Sequence, residues 1–174
     1  MDTFESRTPP QHRHIIGVIG THDPDPATVS LAEDLGRHIA LKGHVLLTGG
    51  GTGVMEGASK GAYRSGGLVI GILPNDRGRI LPGYPNDYVT IPIYTGLGDA
   101  RNVINARTPD VIVALKGSYG TLSEIALALK ADTPVIGLDA WSEILPGRII
   151  LTRTVPETMT AIALVLNNHQ ITAM

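Results

Sequence analysis

Four glycines fall within five residues in Thr48-Gly49-Gly50-Gly51-Thr52-Gly53, and the run leads straight into Val54-Met55-Glu56, where a helical pattern begins. Glycine tolerates positive φ and lets a ligand approach the main chain, while a helix start presents unpaired N–H groups and a partial positive charge. The combination suits an anion. A second run, Lys116-Gly117-Ser118-Tyr119-Gly120-Thr121-Leu122-Ser123-Glu124, repeats this chemistry after another apolar segment. A turn needed only to pack a strand against a helix is the plainer reading of each glycine, and it stays open beside the ligand-binding one.

Three side chains add chemistry to the turns. Thr121 and Glu124, three residues apart, fit a capping box in which both side chains satisfy the first free N–H groups of a helix. The same carboxylate would face a ligand held at that helix start, so both roles are compatible. Arg101 follows Asp99, the predicted cap, in the first turn of a further helix, where the dipole disfavours a cation. Its guanidinium has the fork shape that grips phosphate. Gly20 and Thr21, which end the first strand, and Asn102 beside Arg101 complete the predicted binding set.

Several chemistries are disfavoured. The first turn reads Thr21-His22-Asp23-Pro24-Asp25, with no G-x-G-x-x-G, so neither NAD nor FAD is expected. No G-x-x-x-x-G-K-[ST] occurs, which disfavours ATP hydrolysis. The chain has no cysteine, and its histidines form no pair at metal-binding spacing beyond His12 and His14, so a protein-ligated metal is not expected. A net charge of −2 with scattered Lys and Arg gives no basic stripe for nucleic acid. Each apolar run is cut short by glycine, proline or charge, so no membrane span is expected. The absence of cysteine fits a reducing compartment and predicts a cytoplasmic protein.

The elements that must position these residues follow from periodicity. The polar stretch 1–13 is predicted to be a flexible leader, followed by one domain over 14–174. Strands are predicted at His14–Gly20, His44–Thr48, Leu68–Leu73, Tyr88–Ile93, Asp110–Leu115 and Pro134–Leu138. Helices are predicted at Ala27–Lys42, Gly53–Arg64, Asp99–Arg107, Thr121–Lys130 and Val155–Asn167. Short apolar strands alternating with helices imply an α/β, Rossmann-like, doubly wound fold with a mainly parallel sheet covered on both faces. Ligands of such sheets sit beyond the carboxyl ends of the strands, where the glycine turns lie.

Gly49-Gly-Gly-Thr-Gly-Val-Met-Glu56 together with Lys116-Gly-Ser-Tyr-Gly-Thr-Leu-Ser-Glu124 resembles the superfamily of the LOG-type proteins, long labelled possible lysine decarboxylases. LOG enzymes are phosphoribohydrolases that cleave the N-glycosidic bond of nucleoside 5′-monophosphates, and the resemblance implies catalytic roles for Arg101 and Glu124. Their P-G-G-x-G-T-x-x-E pattern carries Lys116 and Ser118 here, and their E-R-K is Ala100-Arg101-Asn102. Gly98-Asp-Ala-Arg-Asn102 and Gly120-Thr-Leu-Ser-Glu-Ile-Ala-Leu-Ala128 look closer to the neighbouring branch of molybdenum cofactor carriers. That resemblance implies binding of molybdenum cofactor, or of molybdate or tungstate, by a homodimer or homotetramer that supplies molybdoenzymes. A nucleotide-sensing module would use the same pocket. The residues expected to hold the phosphorylated small molecule are Gly20, Thr21, Gly49, Gly50, Gly51, Thr52, Gly53, Val54, Met55, Arg101, Asn102, Gly117, Ser118, Tyr119, Gly120, Thr121 and Glu124.

Overall fold

Aliphatic runs of three to five residues, each closed by a turn residue, become seven strands: β1 (Ile15–Ile19), β2 (Val45–Thr48), β3 (Val69–Leu73), β4 (Ile91–Tyr94), β5 (Val111–Ala114), β6 (Val135–Leu138) and β7 (Ile150–Thr152). Between and after them lie α1 (Pro26–Leu41), α2 (Val54–Arg64), α3 (Asn102–Arg107), α4 (Tyr119–Lys130) and α5 (Val155–Thr172). This computed structural model describes residues 13–143 and 147–172. Residues 1–12 of the expected leader lie outside the described residues. No helix among them is long and apolar enough to cross a membrane.

The sheet is parallel throughout, in the order β4-β3-β2-β1-β5-β6-β7. The chain winds outward from β1 to β4, then crosses back to β5 and winds the other way. The reversal opens a crevice at the carboxyl ends of β1 and β5. One core gathers Ile16 and Val18 of β1, Val111 and Val113 of β5, and buried residues of α1, α2 and α5. The alternate residues, Ile19, Ile112 and Ala114, turn to the other face and pack with Ala106, Ile125 and Ala128 of α3 and α4. Strands buried on both faces lack polar alternation, which is why they read as continuous apolar runs.

Local chemistry moves several boundaries. Asp25 caps α1, accepting from the Thr28 N–H at 2.8 Å, and Pro26 fills the first position. Tyr88 and Val89 leave the predicted fourth strand because their N–H groups fold back on Asn86. The strand therefore starts at Ile91. The expected Asp99–Arg107 helix divides into a 3₁₀ turn at Gly98–Arg101 and α3. β7 was absent from the predicted elements; at three residues, with Ile150 and Leu151 exposed, it carries too little pattern to be seen in sequence. α5 continues past Asn167 to Thr172.

α1 and α2 touch main chain to main chain. A Cβ on Gly36 would overlap the Ala58 carbonyl oxygen, and one on Gly61 would overlap that of Glu33. Gly36→Ala should therefore destabilise the fold by about 1–3 kcal/mol through overpacking, a loss partly offset by the better helix propensity of alanine. Thermal melts should show a clear drop for Gly36→Ala and little change for Gly78→Ala, where a Cβ meets nothing within 4 Å. Equal melting temperatures for Gly36→Ala and the parent would show that the helices can separate without cost.

Candidate functional site: a cleft at the strand-order reversal

The crevice is fastened on both sides by main-chain bonds. The Leu115 N–H donates to the Ile19 carbonyl at 3.0 Å and the Thr21 N–H to that of Lys116 at 2.9 Å, binding the end of β1 to the end of β5. The Val54 N–H donates to the Thr21 carbonyl at 3.0 Å and brings the start of α2 to the same place. Above these bonds lies a partly open cleft of about 180 Å³. Of the sequence-predicted residues, Gly20, Thr21, Gly49, Met55, Arg101, Asn102, Ser118, Gly120, Thr121 and Glu124 line it. Gly50, Gly51, Thr52, Gly53, Val54, Gly117 and Tyr119 do not.

The first glycine turn divides between two duties. Gly50 and Gly53 hold positive φ, at 72° and 69°, and shape the turn. Three of its polar groups are engaged inside the protein: the Gly50 N–H donates to Thr48 Oγ1 at 3.0 Å, and the Gly50 and Gly51 carbonyls accept from Asn86 N and Nδ2, both at 2.8 Å. The expected use of the Gly50 N–H as an anion donor is thus pre-empted by Thr48. Gly51 lies under the Tyr84 ring, which a Cβ would meet at 2.6 Å. Gly49 serves the cleft differently, because any side chain there would overlap the Arg101 guanidinium. Its absent Cβ is the space that Arg101 occupies.

Arg101 is only 8% exposed and donates from Nη1 to the Ile72 carbonyl at the end of β3, at 3.2 Å. It closes the 3₁₀ turn and precedes α3, so the expected placement inside the first turn of an α-helix is corrected, as is the Asp99 cap; neither segment has a side-chain cap bond. Asp99 lines the cleft instead. Asn102 Nδ2 donates to Ser123 Oγ at 3.0 Å, and Ser123 Oγ donates to the Gly120 carbonyl at 2.7 Å. This chain fastens the start of α3 to the start of α4.

The capping box expected of Thr121 and Glu124 does not form. α4 starts two residues earlier, at Tyr119, with Ser118 as a cap that gives no side-chain bond. Thr121 packs back over Gly117, where a Cβ would overlap its Oγ1. Glu124 is turned inward, 7% exposed, and its Oε1 accepts from Asn105 Nδ2 at 2.7 Å. Burial raises its pKa above the ordinary carboxylate value, against the opposing pull of the Asn105 bond and the Arg101 charge. The first helical bond of α4 is from Leu122 N to the Ser118 carbonyl, at 2.9 Å. The N–H groups of Tyr119, Gly120 and Thr121 therefore have no partner within the helix, and a Cβ on Gly120 would meet nothing within 4 Å.

Ile19, His22, Tyr84 and Asp99 line the cleft without having been predicted for it. Asp99 carried a cap reading only, and Tyr84 comes from the irregular loop between β3 and β4, where no periodicity marks it. Among the described residues no group of three or more His, Asp or Glu could hold a metal ion. A ligand at this site would be met by main-chain N–H groups, a buried guanidinium and a carboxyl of raised pKa.

Comparison with known proteins gives this geometry a lineage. The model of the SLOG cluster4 family matches residues 13–168. The molybdenum cofactor binding protein of the phototrophic bacterium Rippkaea orientalis is similar in structure, with a TM-score of 0.81 and 40% identity over 89% of this chain and 98% of that one. The molybdenum cofactor carrier protein of Chlamydomonas reinhardtii gives a TM-score of 0.79 and 39% identity over 89% of this chain and 99% of its own. A probable cytokinin riboside 5′-monophosphate phosphoribohydrolase of Oryza sativa subsp. japonica is 34% identical over 103 residues, which is 54% of this chain and 38% of the rice protein.

Glu124 leaves a mark on stability that can be measured. Its folded pKa lies above its unfolded one, so between the two values the folded state binds more protons and stability falls as pH rises. Glu124→Gln keeps an acceptor for Asn105 and removes the titration. The melting temperatures of the two proteins should lie together near pH 4, about where a free glutamate titrates. They should part as pH rises, with the variant the more stable. A gap that does not vary with pH would show that the buried charge is not the cause.

Proposed function

The chain belongs to the SLOG cluster4 family, and from that premise we propose that it binds, stores or delivers a phosphorylated small molecule, molybdenum cofactor above all, without transforming it. The observation that carries this reading is the uncapped start of α4, open at Gly120, in the same cleft as the buried Arg101. Main-chain N–H groups at a helix start and a fixed guanidinium are the donors that a phosphate or a molybdenum oxyanion requires. Gly120, Thr121 and Arg101 would hold the anion, and the metal would be retained through its pterin and oxo groups. Glu124 in its neutral form adds no charge against a bound anion. We take the protein to act in the cytoplasm, as a homodimer or homotetramer, and to pass its cofactor to molybdoenzymes.

A second reading is favoured by one observation, the placement of Glu124 in the same cleft as Arg101, together with the likeness to the rice phosphoribohydrolase. Arg101 would then hold the 5′-phosphate of a nucleotide, and Glu124 would activate water or stabilise positive charge developing on the ribose.

Equilibrium titration with molybdenum cofactor, molybdate and tungstate tests the carrier reading. Binding is expected, and Arg101→Gln should weaken it by about 10- to 100-fold, the range for a charge-assisted hydrogen bond, with circular dichroism checking the fold. No affinity for any of the three would sink the carrier. Incubation with the common nucleoside monophosphates should release no free base. Release that disappears in Glu124→Ala would replace the carrier by the hydrolase.

A further inference from the structure

Arg101 and Glu124 are both buried and both line the cleft, yet they do not pair. The guanidinium charge acts on the Glu124 carboxyl, but among the described residues no ion pair joins the two. A buried arginine next to a buried glutamate would ordinarily close into a forked pair that satisfies both. Here each is tied to something else. Arg101 Nη1 donates to the Ile72 carbonyl at 3.2 Å, and Glu124 Oε1 accepts from Asn105 Nδ2 at 2.7 Å. Asn105 is fully buried and its Oδ1 has no partner, so the hydrogen bonding of this amide goes to Glu124 alone.

One carboxyl oxygen is thereby pinned and the other is left over. Glu124 Oε2 bonds to nothing among the described residues, and it is not one of their sealed, unpartnered atoms, so it keeps accessible surface. The open space that Glu124 lines is the cleft. As a carboxylate this oxygen only accepts, and its lone pairs would oppose an anion held by Arg101 and the start of α4. As a carboxylic acid it donates, and an O–H donor to an oxyanion makes a short, charge-assisted bond. Burial already favours the protonated form.

We propose that Glu124 is a proton-carrying ligand of the bound anion, which enters the cleft together with one proton and leaves with it. The proton comes from solvent, forms an O–H bond at Oε2 and returns to solvent on release; no other bond is made or broken. The inference rests on the anion-binding reading of the cleft and adds its control by pH. Because the protonated form binds better, affinity falls as pH rises above the pKa of Glu124 in the empty protein. Lower pH loads the site and higher pH empties it. Beside Arg101, the other titratable groups lining the cleft are Tyr84 and the exposed His22 and Asp99. Histidine ordinarily changes charge near neutral pH, so His22 has to be separated from Glu124 by experiment.

Calorimetric titration with dilute tungstate, from about pH 6 to about pH 9 and in buffers of different ionisation enthalpy, reads affinity and proton uptake together. Tungstate itself carries no proton over that range. The parent should take up close to one proton at the upper end, with affinity falling by about tenfold per pH unit. Glu124→Gln keeps an acceptor for Asn105 and offers the cleft a fixed N–H, so it should bind with little proton uptake and a much shallower slope. Circular dichroism checks its fold, and Glu124→Ala gives the same loss of uptake by a second route. Whatever slope remains in these variants belongs to His22. Absence of proton uptake by the parent throughout the range overturns the inference and leaves the anion site standing, as does uptake that both variants keep in full. Absence of tungstate binding by the parent at every pH removes the anion site itself, and the inference with it.

Discussion

The guanidinium of Arg101 is buried in space vacated by a glycine, and the rest of the site is arranged around that fact. A charge withdrawn from water must be met by fixed dipoles and counter-charge. The Ile72 carbonyl supplies such a dipole, at 3.2 Å, and the carboxyl of Glu124 lines the same cleft. Only a residue without Cβ at position 49 permits it. The outcome is a cation held still at the mouth of a parallel sheet, in a cleft that also contains an uncapped helix start. Such preorganisation lets an anion bind without first ordering a long side chain.

The two glycine turns resemble each other in sequence and differ in physical duty. Around Gly49–Gly53, tight packing against Arg101, Tyr84 and the Thr21–His22 main chain dominates, and the Gly50 N–H and the Gly50 and Gly51 carbonyls are satisfied internally. Around Gly117–Thr121, the N–H groups at the start of α4 lack helical partners, and Gly120 is open. The first turn builds the site and the second offers it to a ligand. The Rossmann-like topology brings both turns to one crevice, at the strand-order reversal.

The fold was largely legible because its signals are local. Apolar runs such as Val111–Ala114 and the spacing of Leu31, Leu35 and Ile39 in α1 mark elements whatever lies around them. Where a boundary moved, a local hydrogen bond marks it: Asn86 draws Tyr88 and Val89 out of β4, and the bond from Leu122 N to the Ser118 carbonyl starts α4 ahead of Thr121.

By itself the sequence determined the alternation of strands and helices, the parallel doubly wound class, the family, and the membership of Arg101 and Glu124 in one site. The alternation and the class rest on spacing within a short window, and the family and the pairing of Arg101 with Glu124 on the resemblance of the two glycine motifs to the LOG-type superfamily. The tertiary structure alone decided what those residues do. Glu124 matches a capping box in sequence, yet Asn105, 19 residues away, takes its Oε1 inside the protein. Gly49 and Gly50 look equivalent in sequence, yet only Gly49 lies beneath Arg101, which arrives from beyond β4. A side chain's role is set by which distant partner reaches it first, and that is fixed only when the sheet is assembled.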